Sequence, residues 1–165
     1  MNYERITSDK EFDDVRPSHE LRYRIASGFV ESQDRVLDAG CGEGYGSKFF
    51  NDCYKYVGID INPVHCSINK FDLETDSYKE NLDVFIGFEI IEHLKDVSNF
   101  VKIAKQAEKW IIVSTPIIPT KHRNEYHLQD FTPKQIIDLF EDENWLLYGW
   151  LKQLEIYGIF IFTRI

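Results

Sequence analysis

Cysteine is scarce in this sequence, and the few cysteines are poorly spaced for cross-linking or metal binding. They are Cys41, Cys53 and Cys66, and no two of them have the Cys-x-x-Cys spacing. An odd number without that spacing argues against both a disulfide framework and a zinc ribbon. We therefore expect a protein of a reducing, cytoplasmic compartment.

Long apolar runs are also missing. No stretch of the chain approaches the roughly 18 consecutive apolar residues that a membrane-spanning helix requires. Residues 1–14 are polar and acidic, whereas a secretory leader begins with basic residues and continues with apolar ones. The expectation is a soluble, unprocessed protein that has no membrane partner.

Positive charge is in deficit. Lys and Arg number 19 against 28 Asp and Glu, which gives a formal net charge of −9 at pH 7. A protein that binds along a nucleic acid needs many cations to neutralise the phosphates. The charge balance therefore argues against a nucleic-acid partner.

Apolar surface, in contrast, is sufficient for one core. Hydrophobic residues make up 43% of the chain and aromatic residues 15%, enough to offset the ordering entropy of a compact fold. With about 150 residues per domain as a guide, the length predicts a single domain over residues 1–165.

Short apolar runs alternate with helical patterns along the chain. Residues 1–16 lack periodicity, and helices are predicted over residues 18–32 and 99–109 and after the cap Thr132. Only eleven residues separate Asp60 from Asp72, so the helix after the second strand should be shortened or missing. The pattern predicts an open, mostly parallel α/β sheet with one antiparallel strand. The predicted strands are residues 35–38, 56–60, 67–72, 83–88 and 110–114, with a terminal hairpin from 145–150 and 156–162.

A glycine loop, residues 40–46, follows the first predicted strand directly. Gly40, Gly42 and Gly44 allow the backbone to turn tightly and approach a ligand at a helix N-terminus. Asp60 ends the next strand 22 residues after Asp38, where a carboxylate can accept both hydroxyls of a ribose. The pair indicates a nucleoside ligand; the alternative is a structural turn beside an exposed aspartate.

The spacing of the glycines narrows the range of candidate ligands. Dinucleotide sites follow Gly-x-Gly-x-x-Gly, whereas Asp38 here precedes the first glycine, where it would repel a pyrophosphate and suit a cationic amino-acid tail. At these residues the sequence resembles the class I S-adenosylmethionine-dependent methyltransferases. The resemblance runs over residues 35–140 through VLDAGCGEGYGS, YVGIDIN, FDLE, LDVFIGFEIIEHL, WIIVSTP and NEYHLQDFTPKQIIDLF. It implies a Rossmann-like sheet of about seven strands and S-adenosylmethionine as the cofactor.

The resemblance also implies roles for individual residues in binding the cofactor. Residues 1–17 would form a lid or a flexible segment. The short stretch before Asp72 departs from the family pattern and puts the adenine contacts in question. By position, Asp38 and Gly40 would lie beside the methionine part, Gly42 and Gly44 beneath it, Asp60 at the ribose, Ile61 on the adenine ring, Asp72 at the adenine amino group, and Phe88 and Glu89 at the closing wall of the pocket.

A second group of residues, Glu89, Glu92 and His93, precedes a further histidine, His127. If Glu89 opens a helical turn, the three side chains share one face, and with His127 they would suit a divalent ion such as Mg or Mn. This arrangement is similar to that of metal-dependent O-methyltransferases, which implies an oxygen acceptor. His93 or His127 acting as a metal-free catalytic base is one alternative. The other is that these residues merely cap and solvate a helix.

The acceptor is predicted from residues 124–133, NEYHLQDFTP. They resemble the acceptor-side motif of methyltransferases encoded with polysaccharide biosynthesis genes. The expectation is methyl transfer to an oxygen of a small-molecule acceptor, such as a sugar or glycan precursor. Two alternatives stay open: a 2′-O-methyltransferase of the terminal ribose of RNA, and a catalytically silent S-adenosylmethionine-binding subunit.

Overall fold

The centre of the protein is a seven-stranded sheet, seen in a computed structural model that describes the backbone of residues 10–165 and the side chains of residues 17–165. The strand order is β3-β2-β1-β4-β5-β7-β6, and within this sheet β7 runs antiparallel to both of its neighbours. The predicted fold class is confirmed, including the terminal hairpin. The strands are β1 Arg35–Ala39, β2 Lys55–Asp60, β3 Ile68–Lys70, β4 Val84–Phe88, β5 Trp110–Pro116, β6 Trp145–Gln153 and β7 Tyr157–Arg164.

The first helix, α1, spans Lys10–Ser27 and differs from the predicted helix at both ends. Its early start was missed because proline usually marks a helix N-terminus, whereas Pro17 lies inside this helix. It ends at Ser27 because the amides of residues 28–30 donate to carbonyls three residues back, which tightens and closes the last turn. Of the predicted lid, residues 1–9 lie outside the described residues, and residues 10–17 belong to α1.

Two shorter helices follow: α2, Ser98–Ala104, and α3, Pro133–Phe140. The prediction for α3 is confirmed, since Thr132 and Gln135 form a reciprocal capping box at its start. The prediction for α2 was five residues too long at its C-terminal end, residue 109 against Ala104. The chain leaves the helix there because the amides of Glu108 and Lys109 donate to carbonyls of Leu82 and Asp83, which aligns the chain with β4.

The sheet is covered on both faces. Side chains alternate along the strands, so that Phe85 packs with α2 and α3 while Val84 and Ile86 pack with α1. Fully burying a large apolar side chain contributes about 1.5–3 kcal/mol. The chain between β2 and β3 contains only turns and bends, which confirms that the helix after the second strand is missing.

The carboxyl ends of the parallel strands place several loops at one edge of the sheet. The glycine loop follows β1, Asp60 ends β2, Glu89 follows β4 and residue 117 follows β5. In open α/β sheets, ligands bind outside these carboxyl ends, where the strand order reverses. Among residues 10–165, no helix has the length and apolar character needed to cross a membrane.

Candidate active site

The glycine loop is built on left-handed backbone. Gly40, Gly42 and Gly44 have φ values of 70°, 58° and 75°, a conformation that glycine adopts freely and that costs L-residues energy. Gly40 also lies against Ile90, since a Cβ at Gly40 would stand 2.7 Å from Ile90 Cγ1. The loop is therefore in direct contact with the segment that follows β4.

Asp60 is bonded to the glycine loop. Its Oδ2 accepts a hydrogen bond from the Gly42 amide at 3.0 Å, and its Oδ1 accepts from the Asn62 amide at 2.8 Å. These bonds orient the carboxylate at the end of β2, beside half-buried Ile61. The structure thus brings together the glycines and the aspartate that the sequence predicts to share one ligand.

Asp72 lies at the same edge but stabilises its own turn. Phe71 donates from its amide to the Asp60 carbonyl at 3.0 Å, which draws the chain toward β2. Asp72 Oδ1 then accepts from the Glu74 amide at 2.9 Å. Its predicted contact with an adenine amino group remains a prediction.

Asp38, at the end of β1, is buried, with 1% of its surface exposed. Its Oδ2 accepts from the Tyr23 hydroxyl at 2.9 Å and from the Tyr56 hydroxyl at 2.5 Å. Burial raises the pKa of Asp38 to about 6; the two tyrosine hydrogen bonds oppose this shift and nearby Asp60 adds to it. Neither tyrosine contact was predicted from the sequence.

Phe88 ends β4 and Glu89 follows it, and the two side chains have different surroundings. Phe88 is buried and packs edge-on against Tyr23, with ring centroids 5.0 Å apart. Glu89 has a φ of 52°, so it does not open the predicted helical turn, which comprises only Ile91–His93. Its Oε1 accepts from Ser114 Oγ at 2.7 Å. The predicted shared face of Glu89, Glu92 and His93 is therefore wrong.

Arg22 of α1 is a functional candidate that the sequence analysis missed. The side chain is fully buried, with Nη1 3.2 Å from Glu89 Oε1 and Nε donating to Gln153 at 2.8 Å. Nη2 is also buried, and it has no hydrogen-bond partner. The sequence contained one signal of this burial: Arg22 precedes Ala26 by four residues and therefore lies on the apolar face of the helix.

Glu92, His93 and His127 converge on one point. One potential ligand atom from each lies within 4.8 Å of the others. Glu92 is 1% exposed; Oε2 accepts from Thr115 Oγ1 at 3.0 Å, while Oε1 is buried without a partner. Burial, and then the charge of Glu89, raise the pKa of Glu92 well above its usual value. The structure therefore assembles three of the four predicted metal-ligand candidates; the Glu89 carboxylate is bonded elsewhere.

The two imidazoles are held by the loop after β5. Nδ1 of His93 lies 3.1 Å from the Tyr126 carbonyl oxygen, and Nδ1 of His127 lies 2.7 Å from Thr120 Oγ1. A carbonyl only accepts hydrogen bonds, so Nδ1 of His93 carries the proton. The Leu128 amide donates to the Glu92 carbonyl at 2.8 Å, which ties this loop to the Ile91–His93 turn.

The family model and the sequence relative that match this chain both describe methyltransferases. A family model described as "Methyltransferase domain" matches residues 13–151. A protein of Mycolicibacterium smegmatis, named as an S-adenosylmethionine-dependent methyltransferase, is 27% identical over 144 residues, which cover 74% of this chain and 56% of the relative. The chain therefore spans little more than half of that relative's length.

Solved structures resemble this fold at low sequence identity. A chain from the complex between the Haloferax volcanii Trm112 methyltransferase activator and a methyltransferase has a TM-score of 0.73 at 12% identity, covering 94% of each chain. The N-methyltransferase NodS of Bradyrhizobium japonicum, in complex with S-adenosylhomocysteine, has a TM-score of 0.65 at 20% identity, covering 95% of this chain and 89% of NodS. At these identities the likeness concerns the fold.

Proposed function

Because the chain belongs to the class I S-adenosylmethionine-dependent methyltransferases, we propose that it methylates an oxygen of a small-molecule acceptor such as a sugar or glycan precursor. The observation that carries this proposal is the convergence of Glu92, His93 and His127 within 4.8 Å. Glu92 and His93 follow β4, next to the glycine loop through the contact of Gly40 with Ile90, and His127 lies in the loop after β5. Two imidazoles beside a cofactor site are suited to removing a hydroxyl proton.

The residues present fit S-adenosylmethionine. Three left-handed glycines let the backbone approach a ligand, and the unpartnered, buried Nη2 of Arg22 requires an acceptor. In this proposal Asp60 accepts hydrogen bonds from the ribose hydroxyls of the cofactor. Asp38 receives the ammonium group of its amino-acid tail, and Arg22 donates to the carboxylate of that tail. When bound, the cofactor supplies an electrophilic methyl group, and its sulfur keeps the electron pair of the broken carbon–sulfur bond.

His93 or His127 would remove the proton from the acceptor hydroxyl. Since Nδ1 of His93 donates to the Tyr126 carbonyl, Nε2 is its basic nitrogen. Thr120 Oγ1 lies 2.7 Å from His127 Nδ1 and 3.4 Å from Asp130 Oδ1. These contacts orient the His127 imidazole. The acceptor oxygen gives its proton to an imidazole as it attacks the methyl carbon. Holding the acceptor in line contributes most of the rate, because it removes an entropic cost.

The same three side chains would also serve as the donor set for a divalent ion. Two imidazoles and one carboxylate suit Mn²⁺ better than Mg²⁺, which prefers oxygen ligands. Nδ1 of His93 already donates to a backbone carbonyl, the usual arrangement behind a metal-bound histidine. An ion held by Glu92, His93 and His127 would lower the pKa of the acceptor hydroxyl.

The first test is calorimetric titration with S-adenosylhomocysteine, using Asp60→Asn and the exposed control Glu143→Gln. One-to-one binding that weakens only in Asp60→Asn supports the cofactor site. No binding by folded wild-type protein overturns the proposal.

The second test is transfer of radiolabelled methyl groups to sugars and to oligonucleotides, with EDTA or with Mn²⁺. Label in hydroxylated sugars supports the proposal, and label in RNA alone replaces it with the terminal-ribose alternative. Cofactor binding without transfer to any acceptor favours the silent subunit. Transfer that resists EDTA assigns the histidines as metal-free bases, whereas Mn²⁺-restored transfer assigns the ion.

A further inference from the structure

Two tyrosines from different parts of the chain meet on one oxygen of Asp38. Tyr23 comes from α1 and Tyr56 from β2, and both hydroxyls donate to Oδ2. Neither bonds to Oδ1. Two donors on Oδ2 fix the rotation of the carboxylate about its Cβ–Cγ bond, so Oδ1 points in a defined direction.

The two hydroxyls also favour the ionised form of this buried acid. Burial alone disfavours a charged carboxylate, whereas hydrogen bonds donated to it stabilise the charge. Burial and the neighbouring Asp38 charge raise the pKa of both tyrosines, so they remain protonated donors. The arrangement keeps a buried negative charge at the end of β1.

Tyr23 connects this charge to the glycine loop. A Cβ at Gly46 would lie 2.3 Å from Tyr23 Cε1, so the ring rests directly on the last glycine of the loop. The ring also stacks on Phe49 and packs edge-on against Phe88. One α1 side chain therefore contacts both the loop and the carboxylate that precedes it.

We propose that Tyr23 and Tyr56 are positioning residues, which hold the Asp38 carboxylate in the orientation that receives the ammonium group of S-adenosylmethionine. This inference rests on the proposed cofactor site. The tyrosines do not contact the cofactor themselves; they act through Asp38. Their contribution is therefore specific to ligands that carry the amino-acid tail.

The experiment compares two ligands in Tyr23→Phe and Tyr56→Phe. S-Adenosylhomocysteine carries the amino-acid tail, and 5′-methylthioadenosine has the same thioether nucleoside without it. Loss of one hydrogen bond predicts that each variant binds S-adenosylhomocysteine about 3- to 10-fold more weakly. Binding of 5′-methylthioadenosine should change by less than about twofold, since the nucleoside contacts are intact. Tyr148→Phe, at an exposed ring on β6, is the matched control and should leave both affinities unchanged.

A mutant cycle separates positioning from a general structural role. In an Asp38→Asn background there is no carboxylate charge to orient, so adding Tyr56→Phe should cost little further affinity for S-adenosylhomocysteine. Equal losses for both ligands, or additive losses in the cycle, would overturn the inference. If Tyr23→Phe fails to fold, Tyr56→Phe and the cycle still decide. Wild-type protein that binds neither ligand contradicts the proposed function instead.

Discussion

Arg22 of α1 and Glu89 after β4 form an ion pair of 3.2 Å in which the arginine is fully buried and the glutamate 13% exposed. The pair ties α1 to the edge of the sheet where the glycine loop and Asp60 lie. The Arg22 guanidinium carbon also lies 4.4 Å from the centre of the Tyr157 ring. Arg22 thus joins three regions that are distant in sequence.

Removing Arg22 should destabilise the fold. Arg22→Met leaves the Glu89 carboxylate without its buried partner, and breaking such a pair costs about 3 kcal/mol of unfolding free energy. The matched control Arg24→Met, two residues along on the exposed side of α1, should cost less than about 1 kcal/mol. Denaturant unfolding measures both. Adding Glu89→Gln to Arg22→Met should restore part of the loss, and a further drop would contradict the pairing.

The glycine loop provides a pair of substitutions that separates strain from crowding. Gly42→Ala places a Cβ on left-handed backbone with nothing within 4 Å. Backbone strain alone should therefore lower its unfolding free energy, by about 1–2 kcal/mol. Gly40→Ala adds overlap with Ile90 and should lower the unfolding free energy by about 1–3 kcal/mol more. Thermal and denaturant unfolding test the order. In the Gly40→Ala background, Ile90→Ala should relieve part of the crowding; equal costs at the two glycines would contradict this account.

Asp38 should make the stability of the folded protein depend on pH. Its folded pKa of about 6 lies above the ordinary value of 3.8, so between these values the folded state binds more protons than the unfolded chain. The unfolding free energy, relative to Asp38→Asn, should therefore fall by up to about 3 kcal/mol as pH rises from about 4 to about 6, then stay level. Denaturant unfolding at pH 4, 5, 6 and 7 measures the difference. A flat difference would show that the Asp38 pKa is not raised.

His127 should be needed for turnover and not for cofactor binding. His127→Ala removes an imidazole from the proposed acceptor side, and loss of a general base typically lowers kcat about 100-fold or more. Affinity for S-adenosylhomocysteine should stay within about twofold. His122→Ala, an exposed histidine of the same loop, is the control. Once an acceptor is known, an unchanged kcat in His127→Ala would transfer the base assignment to His93.

Much of the fold could be predicted because its signals are local. Alternating or continuous apolar residues marked most of the strands, and Thr132 with Pro133 marked the start of α3. The predicted start of α1 failed because a proline inside the helix contradicted the usual rule. The predicted turn at Glu89 failed because its left-handed backbone has no sequence signal in a non-glycine residue.

The sequence by itself determined the glycine loop, Asp60 and the family, because each depends on residue types at short, fixed spacings. Only the tertiary structure decided that Arg22 is buried against Gln153, 131 residues away, and that Tyr23 and Tyr56 share one oxygen of Asp38. It also decided which acidic residue joins the two histidines. Hydrophobic periodicity reports the face on which a side chain lies, whereas a polar partner is selected by three-dimensional packing, since a buried polar group bonds to whatever the fold brings within reach.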